Sequence, residues 1–222
     1  MNINTNRVES FSDGVISIII TIMVFNIKFP RVKTPYTSAE LHAGLMVVAP
    51  NLITYLFSFL VIGILWLNHH HIYLMLQKVD EKLMWLNLHF LFWISLIPFP
   101  TSMLGGNPFL PESAAIYGGI LFMSAFSFTI MRTYAMRHAL MHNDNKVMEK
   151  KIKLVNNKAK LKNYIGMAAY FLSMPMAYIS VYISFVCFII PPILFFIPDG
   201  IDDEVVAEQI AEINTNASNT PL

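Results

Sequence analysis

Polar side chains recur on one face of an apolar stretch near the beginning of this 222-residue chain. On a helical wheel, at about 100° per residue, one carboxylate and three hydroxyl groups fall on the same side as a glycine and two apolar residues. The members of this polar stripe are Ser10, Asp13, Gly14, Ser17, Ile18, Thr21 and Phe25. Because polar groups are costly against lipid, such a stripe faces other helices or a water-filled path.

Two hydroxyls of the polar stripe, those of Ser17 and Thr21, leave two interpretations open. A hydroxyl in a membrane helix often donates to the carbonyl oxygen four residues earlier and does nothing else. Alternatively, if four copies of the helix surround an axis, Thr21 supplies a ring of hydroxyls and Ile18, about one turn away, supplies a ring of alkyl groups. Ile19 lies off the stripe and is predicted to face lipid.

Asp13 is predicted at the mouth of this helix, where a charge is costly unless it is paired. Arg7 lies six residues earlier, too far round a helix for a close pair. In one interpretation Ser12 caps the helix and Asp13 is stabilised by the positive end of the helix dipole. In the other, Asp13 bonds to a second helix, with Trp66 or the nearby histidines as partners.

Three consecutive histidines, His69, His70 and His71, are the candidate metal ligands. They point about 100° apart on a helix and so cannot hold one ion together. His89 joins one of them only through tertiary packing, and no acidic residue lies at ligand spacing on the flanking helices. The sequence therefore favours interfacial histidines bonded to serines, backbone or Asp13, with no metal and no cofactor.

The apolar part of the first stretch is long enough to enter a membrane. Ser12 to Phe29 is 18 residues, or about 27 Å as a helix, close to the thickness of the hydrocarbon core. The predicted helix ends near Pro30. Since no Ala-x-Ala-like site follows it, we expect it to be retained rather than cleaved.

The composition is that of a polytopic membrane protein: 55% of residues are hydrophobic, 13% are charged and the mean hydropathy is +0.54. Further apolar segments lie at about 45–67, 83–96, 114–131, from 154 to a break at Ser173-Met174-Pro175, and 176–197. The predicted fold class is all-α with six transmembrane helices. The single cysteine, Cys187, excludes an intrachain disulfide.

Charge is segregated along the chain, and this predicts its orientation. Nine of the fifteen basic residues lie in 132–162, against two acids. By the positive-inside rule this loop is cytoplasmic, and six spans place both termini on the same side. Residues 1–200 are predicted to form one membrane domain, and 201–222 an acidic cytoplasmic tail. The basic loop lacks interleaved aromatic residues, so no nucleic-acid partner is expected.

Three motifs together resemble the transmembrane protein 175 family of potassium channels, of the prokaryotic type with one six-helix repeat per subunit. They are Arg7-x-x-x-Phe11-Ser12-Asp13, Trp66-x-x-His69-His70-His71 and Phe92-Trp93-x-x-x-Ile97-Pro98-Phe99-Pro100. The similarity runs over roughly Arg7 to Gly200. It implies a homotetramer in a prokaryotic plasma (inner) membrane, surrounded by lipid, with helix 1 lining a pore for passive potassium permeation and no enzymatic activity.

The resemblance also implies roles for individual residues. Ile18 is the expected bottleneck, Thr21 the selectivity layer, Ile22 a neighbour of that layer and Phe25 a position one turn further out. The expected inter-helix network that holds the pore helix consists of Arg7, Phe11, Ser12, Asp13, Trp66, His69, His70 and His71. No Thr-Val-Gly-Tyr-Gly stretch is present, so side chains rather than backbone carbonyls must form the constriction.

Two other classes of function stay open from the residues alone. A secondary transporter or metal-ion exporter would use Asp13 and the membrane histidines, but it needs an acidic residue in mid-membrane. A membrane enzyme or haem protein needs two histidines facing each other at depth, and of these only His89 is predicted to lie deep.

Overall fold

The computed structural model describes residues 5–30, 37–76, 78–137 and 146–196, with side chains described throughout except at 146–159. The elements within these ranges are all helical, which confirms the all-α prediction. They are α1 (Thr5–Ile22), a 3-10 turn (Met23–Asn26), α2 (Ser38–Met75), α3 (Glu81–Ser95), α4 (Pro98–Gly106), α5 (Pro111–Arg137), α6 (Lys146–Ile179) and α7 (Val181–Phe196).

Among the described residues, four helical stretches are long and apolar enough to cross a membrane: Thr5–Asn26, Ser38–Met75, Glu81–Gly106 and Pro111–Arg137. The apolar helix α7 is shorter, at 16 residues. Much of the large apolar surface of these helices is exposed on the single chain. That combination is characteristic of an integral membrane protein, whose outward-facing apolar residues meet lipid or another subunit.

The first helix begins earlier than the cap interpretation requires. α1 starts at Thr5, so Ser12 lies in its interior, where its hydroxyl donates to the carbonyl oxygen of Val8 at 2.9 Å. The interpretation of Ser12 as an N-cap is therefore wrong. The polar residues before Ser12 continue the helix because nothing in Thr5 to Phe11 breaks it.

The second and third membrane segments are longer than predicted. α2 begins at Ser38 because Thr37 and Glu40 form a capping box, in which the Glu40 carboxylate accepts from the Thr37 backbone N–H at 2.8 Å. α3 ends at Ser95, but Pro98 then starts α4, since a proline is well placed in the first turn of a helix. α4 ends at Gly106.

The break between the last two helices differs from the prediction at Ser173-Met174-Pro175. α6 begins at Lys146 rather than near 154, contains Pro175 and continues to Ile179, and the chain breaks at Ser180. Membrane helices tolerate proline when neighbouring groups satisfy the backbone. The Ser184 hydroxyl of α7 donates to the Ser173 carbonyl oxygen at 2.7 Å, which ties α7 to the part of α6 that contains Pro175. The predicted tail, 201–222, lies outside the described residues.

α5 packs against α3, α4 and both α6 and α7, and so occupies the centre of the subunit. Polar contacts link it to its neighbours: the Ser58 hydroxyl of α2 lies 2.8 Å from both the Thr101 hydroxyl of α4 and the Tyr117 hydroxyl of α5. α1 packs on α2 and α3 at the edge of the bundle. One side of α1 is consequently left without a neighbour among the described helices.

Candidate functional site

The two sides of α1 differ sharply in exposure. The side packed on α2 and α3 buries Val8, Ser12, Ile16, Ile19 and Met23. The opposite side exposes six of the seven members of the polar stripe, namely Ser10, Gly14, Ser17, Ile18, Thr21 and Phe25. Ile18 is 60% exposed and Phe25 is 75% exposed. The stripe therefore faces away from the helices of its own subunit.

Ile19 is not a lipid-facing residue, contrary to the prediction. Its side chain is only 4% exposed and belongs to the hydrophobic core of the subunit. A wheel drawn on the first helix alone cannot show which apolar side meets lipid and which meets α2 and α3. In the structure, the side of α1 that carries Ile19 packs into the subunit core.

Two hydroxyls of the polar stripe, those of Ser17 and Thr21, are bonded to their own helix. Ser17 donates to the carbonyl oxygen of Gly14 at 2.9 Å, and Thr21 donates to those of Ser17 at 2.9 Å and Ile18 at 3.0 Å. A hydroxyl has one proton but two lone pairs. With the proton used on the backbone, the exposed Thr21 oxygen can act only as an acceptor, which is the group that a cation coordinates.

Asp13 is the half-buried member of the stripe, and its partner is Trp66. The indole Nε1 donates to the Asp13 carboxylate at 2.8 Å. One turn away on both helices, His70 Nδ1 lies 2.9 Å from the Glu9 carboxylate, and the Trp66 and His70 rings are stacked. Sequence reasoning missed Glu9, although the shared four-residue spacing of Glu9–Asp13 and Trp66–His70 would have indicated a second contact between antiparallel helices.

Ser12 starts a buried network that joins α1, α2 and α3. The Asn87 side-chain N–H of α3 donates to the Ser12 hydroxyl at 2.8 Å, and the Asn87 oxygen lies 2.8 Å from His69 Nε2 of α2. Since that oxygen can only accept, His69 Nε2 is the donor. All three side chains are buried. Asn87 was also missed from the sequence; an amide within an apolar helix is the signal, because a buried amide requires partners.

The structure thus brings five of the eight expected network residues into hydrogen bonds between helices: Ser12, Asp13, Trp66, His69 and His70. Arg7 and Phe11 are exposed on the outer side of α1 and take no part in these bonds. His71 is half-buried beside His70, with ring centroids 6.3 Å apart. Within the described part of the chain, no group of three or more His, Cys, Asp or Glu residues is arranged to hold a metal ion.

The sequence of this region matches a family model. Residues 7–98 match the model described as "Endosomal/lysosomal potassium channel TMEM175". This part of the chain is similar to the TMEM175 family. The match contains α1 and the inter-helix contacts of Ser12 and Asp13, and the family is one of ion channels rather than enzymes.

Bacterial proteins with similar sequences are named potassium channels. A protein from Chryseobacterium sp. (strain P1-3) named a potassium channel is 42% identical over 131 residues, covering 59% of this chain and 65% of the relative. A Streptomyces collinus protein with the same kind of name is 38% identical, over 56% of this chain and 61% of the relative. The matched part of the chain thus spans just under two thirds of these relatives. The mouse endosomal/lysosomal proton channel TMEM175 is 31% identical, over 63% of this chain and 29% of that protein.

Solved structures extend the similarity beyond the matched sequence. A lysosomal potassium-selective channel TMEM175 homologue from Chamaesiphon minutus superposes with a TM-score of 0.69 at 28% identity, covering 86% of this chain and 95% of that one. A variant of the potassium channel MtTMEM175 superposes with a TM-score of 0.53 at 20% identity, which shows a shared fold.

Proposed function

We propose that the chain is a subunit of a potassium-permeable leak-type channel in which α1 of four copies lines the pore. The observation that carries this proposal is the outward-facing polar stripe of α1, on a helix whose other side is packed into the subunit. A stripe of hydroxyls and small residues is unfavourable against hydrocarbon. The names of the bacterial relatives and of the Chamaesiphon homologue support the choice of potassium.

The subunit offers one helix of this kind, and one helix cannot enclose a path for ions. α1 stands at the edge of the bundle, so copies related by a rotation axis can bring their α1 helices together without disturbing their cores. A homotetramer, held in membrane lipid, is the assembly we propose. The exposed residues Arg7 and Phe11 then lie at the cytoplasmic end of the pore, where neighbouring copies meet.

The constriction consists of side chains on the exposed face of α1. Four copies of Ile18 form an apolar ring that resists wetting and limits permeation. One turn outward, the Thr21 hydroxyl oxygens replace part of the hydration shell of a potassium ion. Ile22, which is 43% exposed, borders that layer, and Phe25 forms the next ring outward.

We place six spans in the membrane by adding the apolar part of α6 and all of α7 to the four long helices. The basic region 132–162 then lies in the cytoplasm with both termini, and residues 201–222 form an acidic cytoplasmic tail after a membrane domain of residues 1–200. The membrane is the prokaryotic plasma (inner) membrane. No cofactor is required, since potassium is the permeant ion.

The contacts of Ser12 and Asp13 hold the inner half of α1 against α2 and α3. They also weaken the alternative of a secondary transporter or metal-ion exporter. In the structure, Asp13 is bonded to Trp66, His70 to Glu9 and His69 to Asn87. Side chains that tie helices together in this way do not converge on a common ion.

Ion flux from proteoliposomes tests the function directly. Vesicles loaded with potassium are diluted into a medium with an impermeant cation, and a protonophore with an internal pH dye reports potassium exit. We expect protein-dependent flux with potassium and a much smaller flux when sodium replaces it. Omitting the protonophore tests proton permeation, the function named for the mouse relative. Potassium flux equal to that of protein-free vesicles would contradict the proposal.

A further inference from the structure

The outer end of α1 does not continue as a regular helix. The backbone tightens into the 3-10 turn Met23–Asn26, and the next residue, Ile27, is extended with ψ at 102°. Met23 is fully buried, whereas Phe25 is 75% exposed, more than Ile18 or Ile22. Because a 3-10 turn has three residues per turn instead of 3.6, it rotates the residues beyond Ile22 relative to those before it.

A single side chain ties this turn to a distant helix. The Asn26 Nδ2 donates to the carbonyl oxygen of Pro98 at 3.1 Å, and these residues are 72 positions apart in the chain. Pro98 is the first residue of α4. Asn26 is half-buried, so the amide is held between the exposed turn and the interior of the subunit.

α4 is a firm anchor for this bond because it is fixed along α2 at two points. Thr101 and Ser58 share a buried hydrogen bond of 2.8 Å. One turn further along α4, Gly105 lies so close to α2 that an added Cβ would stand 2.8 Å from the Asn51 Cα. The position of the Pro98 carbonyl is therefore set by the packing of α4 on α2.

The chain is also held just after the turn. The Phe29 ring packs directly on Gly44 of α2, where an added Cβ would overlap the tip of the ring. Met23, the first residue of the turn, is buried, and Phe29 is packed after the turn, so both ends are fixed. Within the turn itself, the amide of Asn26 supplies the contact that resists rotation.

We propose that Asn26 is a positioning residue that fixes the rotation of the 3-10 turn, so that Phe25 points at the pore axis and acts as an outer size filter. This inference rests on the proposed channel function. Asn26 acts through Phe25 and does not touch the ion. Without the amide, the turn gains rotational freedom and the Phe25 ring leaves the axis for part of the time, so larger cations pass the outer ring. The Ile18 ring limits permeation by resisting wetting, which acts on potassium and on larger cations alike, so the ratio of their fluxes reports on the outer ring.

The test compares the flux of tetramethylammonium with that of potassium in proteoliposomes. Asn26→Leu removes the donor, Phe25→Ala removes the ring, and the double variant combines them. We expect Asn26→Leu to raise the flux ratio about fivefold, the change that one hydrogen bond of typical net strength produces in a two-state equilibrium. Phe25→Ala should raise it at least as much. The double variant should match Phe25→Ala, because the two residues act as one unit.

A matched control is Asn68→Leu, since the Asn68 amide donates to the Ile64 carbonyl oxygen of its own helix at 2.9 Å. Its flux ratio should equal that of the wild type. If Asn26→Leu does not assemble, Asn26→Asp has the same shape, lacks the donor and is expected to raise the ratio as well.

Three results would overturn the inference while leaving the proposed function intact. The first is that assembled Asn26→Leu carries wild-type potassium flux with an unchanged ratio of tetramethylammonium flux to potassium flux. The second is that Phe25→Ala leaves this ratio unchanged. The third is that the effects of the two substitutions add in the double variant. A wild type that carries no potassium flux overturns the inference and the proposed function together.

Discussion

The Trp66 indole N–H points across the α1–α2 interface and donates to the Asp13 carboxylate at 2.8 Å. One turn away, the same two helices are joined again by His70 and Glu9 at 2.9 Å. The two contacts share a four-residue spacing on each helix, so they fix both the separation and the register of the N-terminal part of α1 against the C-terminal part of α2. The exposed side of α1 carries the proposed pore lining, so this register determines where the lining lies relative to the rest of the subunit.

Asp13→Ala should reduce the stability of the folded subunit more than it changes permeation through the channels that remain. The substitution removes the acceptor of the Trp66 N–H. Because Trp66 is 36% exposed, we expect a cost of about 0.5–1.5 kcal/mol of unfolding free energy, the net value of a typical hydrogen bond. Thermal unfolding of the detergent-purified protein measures this. Asp13→Asn is the matched control, because its side-chain oxygen still accepts. Equal melting temperatures for Asp13→Ala and the wild type would contradict the assignment.

Arg7→Ala should act on assembly instead of on the fold of the subunit. Arg7 is exposed on the outer side of α1 and takes no part in the Ser12 and Asp13 networks. We expect native mass measurements at low detergent to show fewer tetramers, with secondary structure unchanged by circular dichroism. A stable monomer in the wild type under the same conditions would argue against the pore model itself.

Asn87→Leu should destabilise the protein severely. Asn87 donates to Ser12 and accepts from His69, so its loss leaves the buried His69 Nε2 without its acceptor. Ser12 loses a donor but keeps its own bond to the Val8 carbonyl oxygen. Buried groups that lose their partner cost about 1–3 kcal/mol each. Asn68→Leu is the control, since that amide bonds within α2. Similar expression and melting temperatures for the two variants would show that the network contributes little.

The sequence predicted some of this arrangement because it depends on local spacing. The polar stripe of α1 follows from helical periodicity. For Asp13 the residues alone left a helix cap and a bond to a second helix open, and the family resemblance favoured the second. The partners Glu9 and Asn87 depend on how α2 and α3 pack, which no single-helix pattern contains. The same holds for Ile19, whose apolar side chain suits lipid and core equally well.

The break between the last two helices shows a different limit. Proline is a good signal of a helix end in water, where a lost backbone bond is replaced by solvent. In an apolar bundle, a helix that ended at Pro175 would expose further backbone groups that no water could satisfy, so α6 continues to Ile179. Ser184 of α7 bonds to α6 at the Ser173 carbonyl oxygen. The packing of α7 on α6, which the local sequence does not show, decides the outcome.

Thr21→Val should reduce the preference for potassium over sodium while keeping an open pore. The Thr21 proton is bonded to its own helix, so the hydroxyl oxygen presents lone pairs outward, and valine has the same shape without them. Reversal potentials under bi-ionic conditions measure the preference. Ser17→Ala, on the same face but one turn inward, is the control. An unchanged reversal potential in Thr21→Val would remove Thr21 from the selectivity layer.

Ile18→Asn and Ile19→Asn test the rotation of α1 itself. Ile18 is 60% exposed and Ile19 is 4% exposed, so neighbouring isoleucines occupy opposite environments on one helix. An amide at Ile18 gives water and ions a polar wall in place of an alkyl ring, and narrow apolar constrictions limit permeation by excluding water. We therefore expect Ile18→Asn to be expressed normally and to carry a larger cation flux, with less preference for potassium over sodium.

An amide in place of the Ile19 side chain would lie in the core between α1, α2 and α3, where it is shielded from water. We expect Ile19→Asn to lower expression and thermal stability, because a buried polar group without a partner costs about 1–3 kcal/mol. Ile19→Val should be tolerated, since it removes one methyl group and adds no polar atom. If Ile19→Asn raises flux and Ile18→Asn only lowers expression, then the exposed face of α1 is not the pore face, and the roles assigned to Thr21 and Phe25 fail with it.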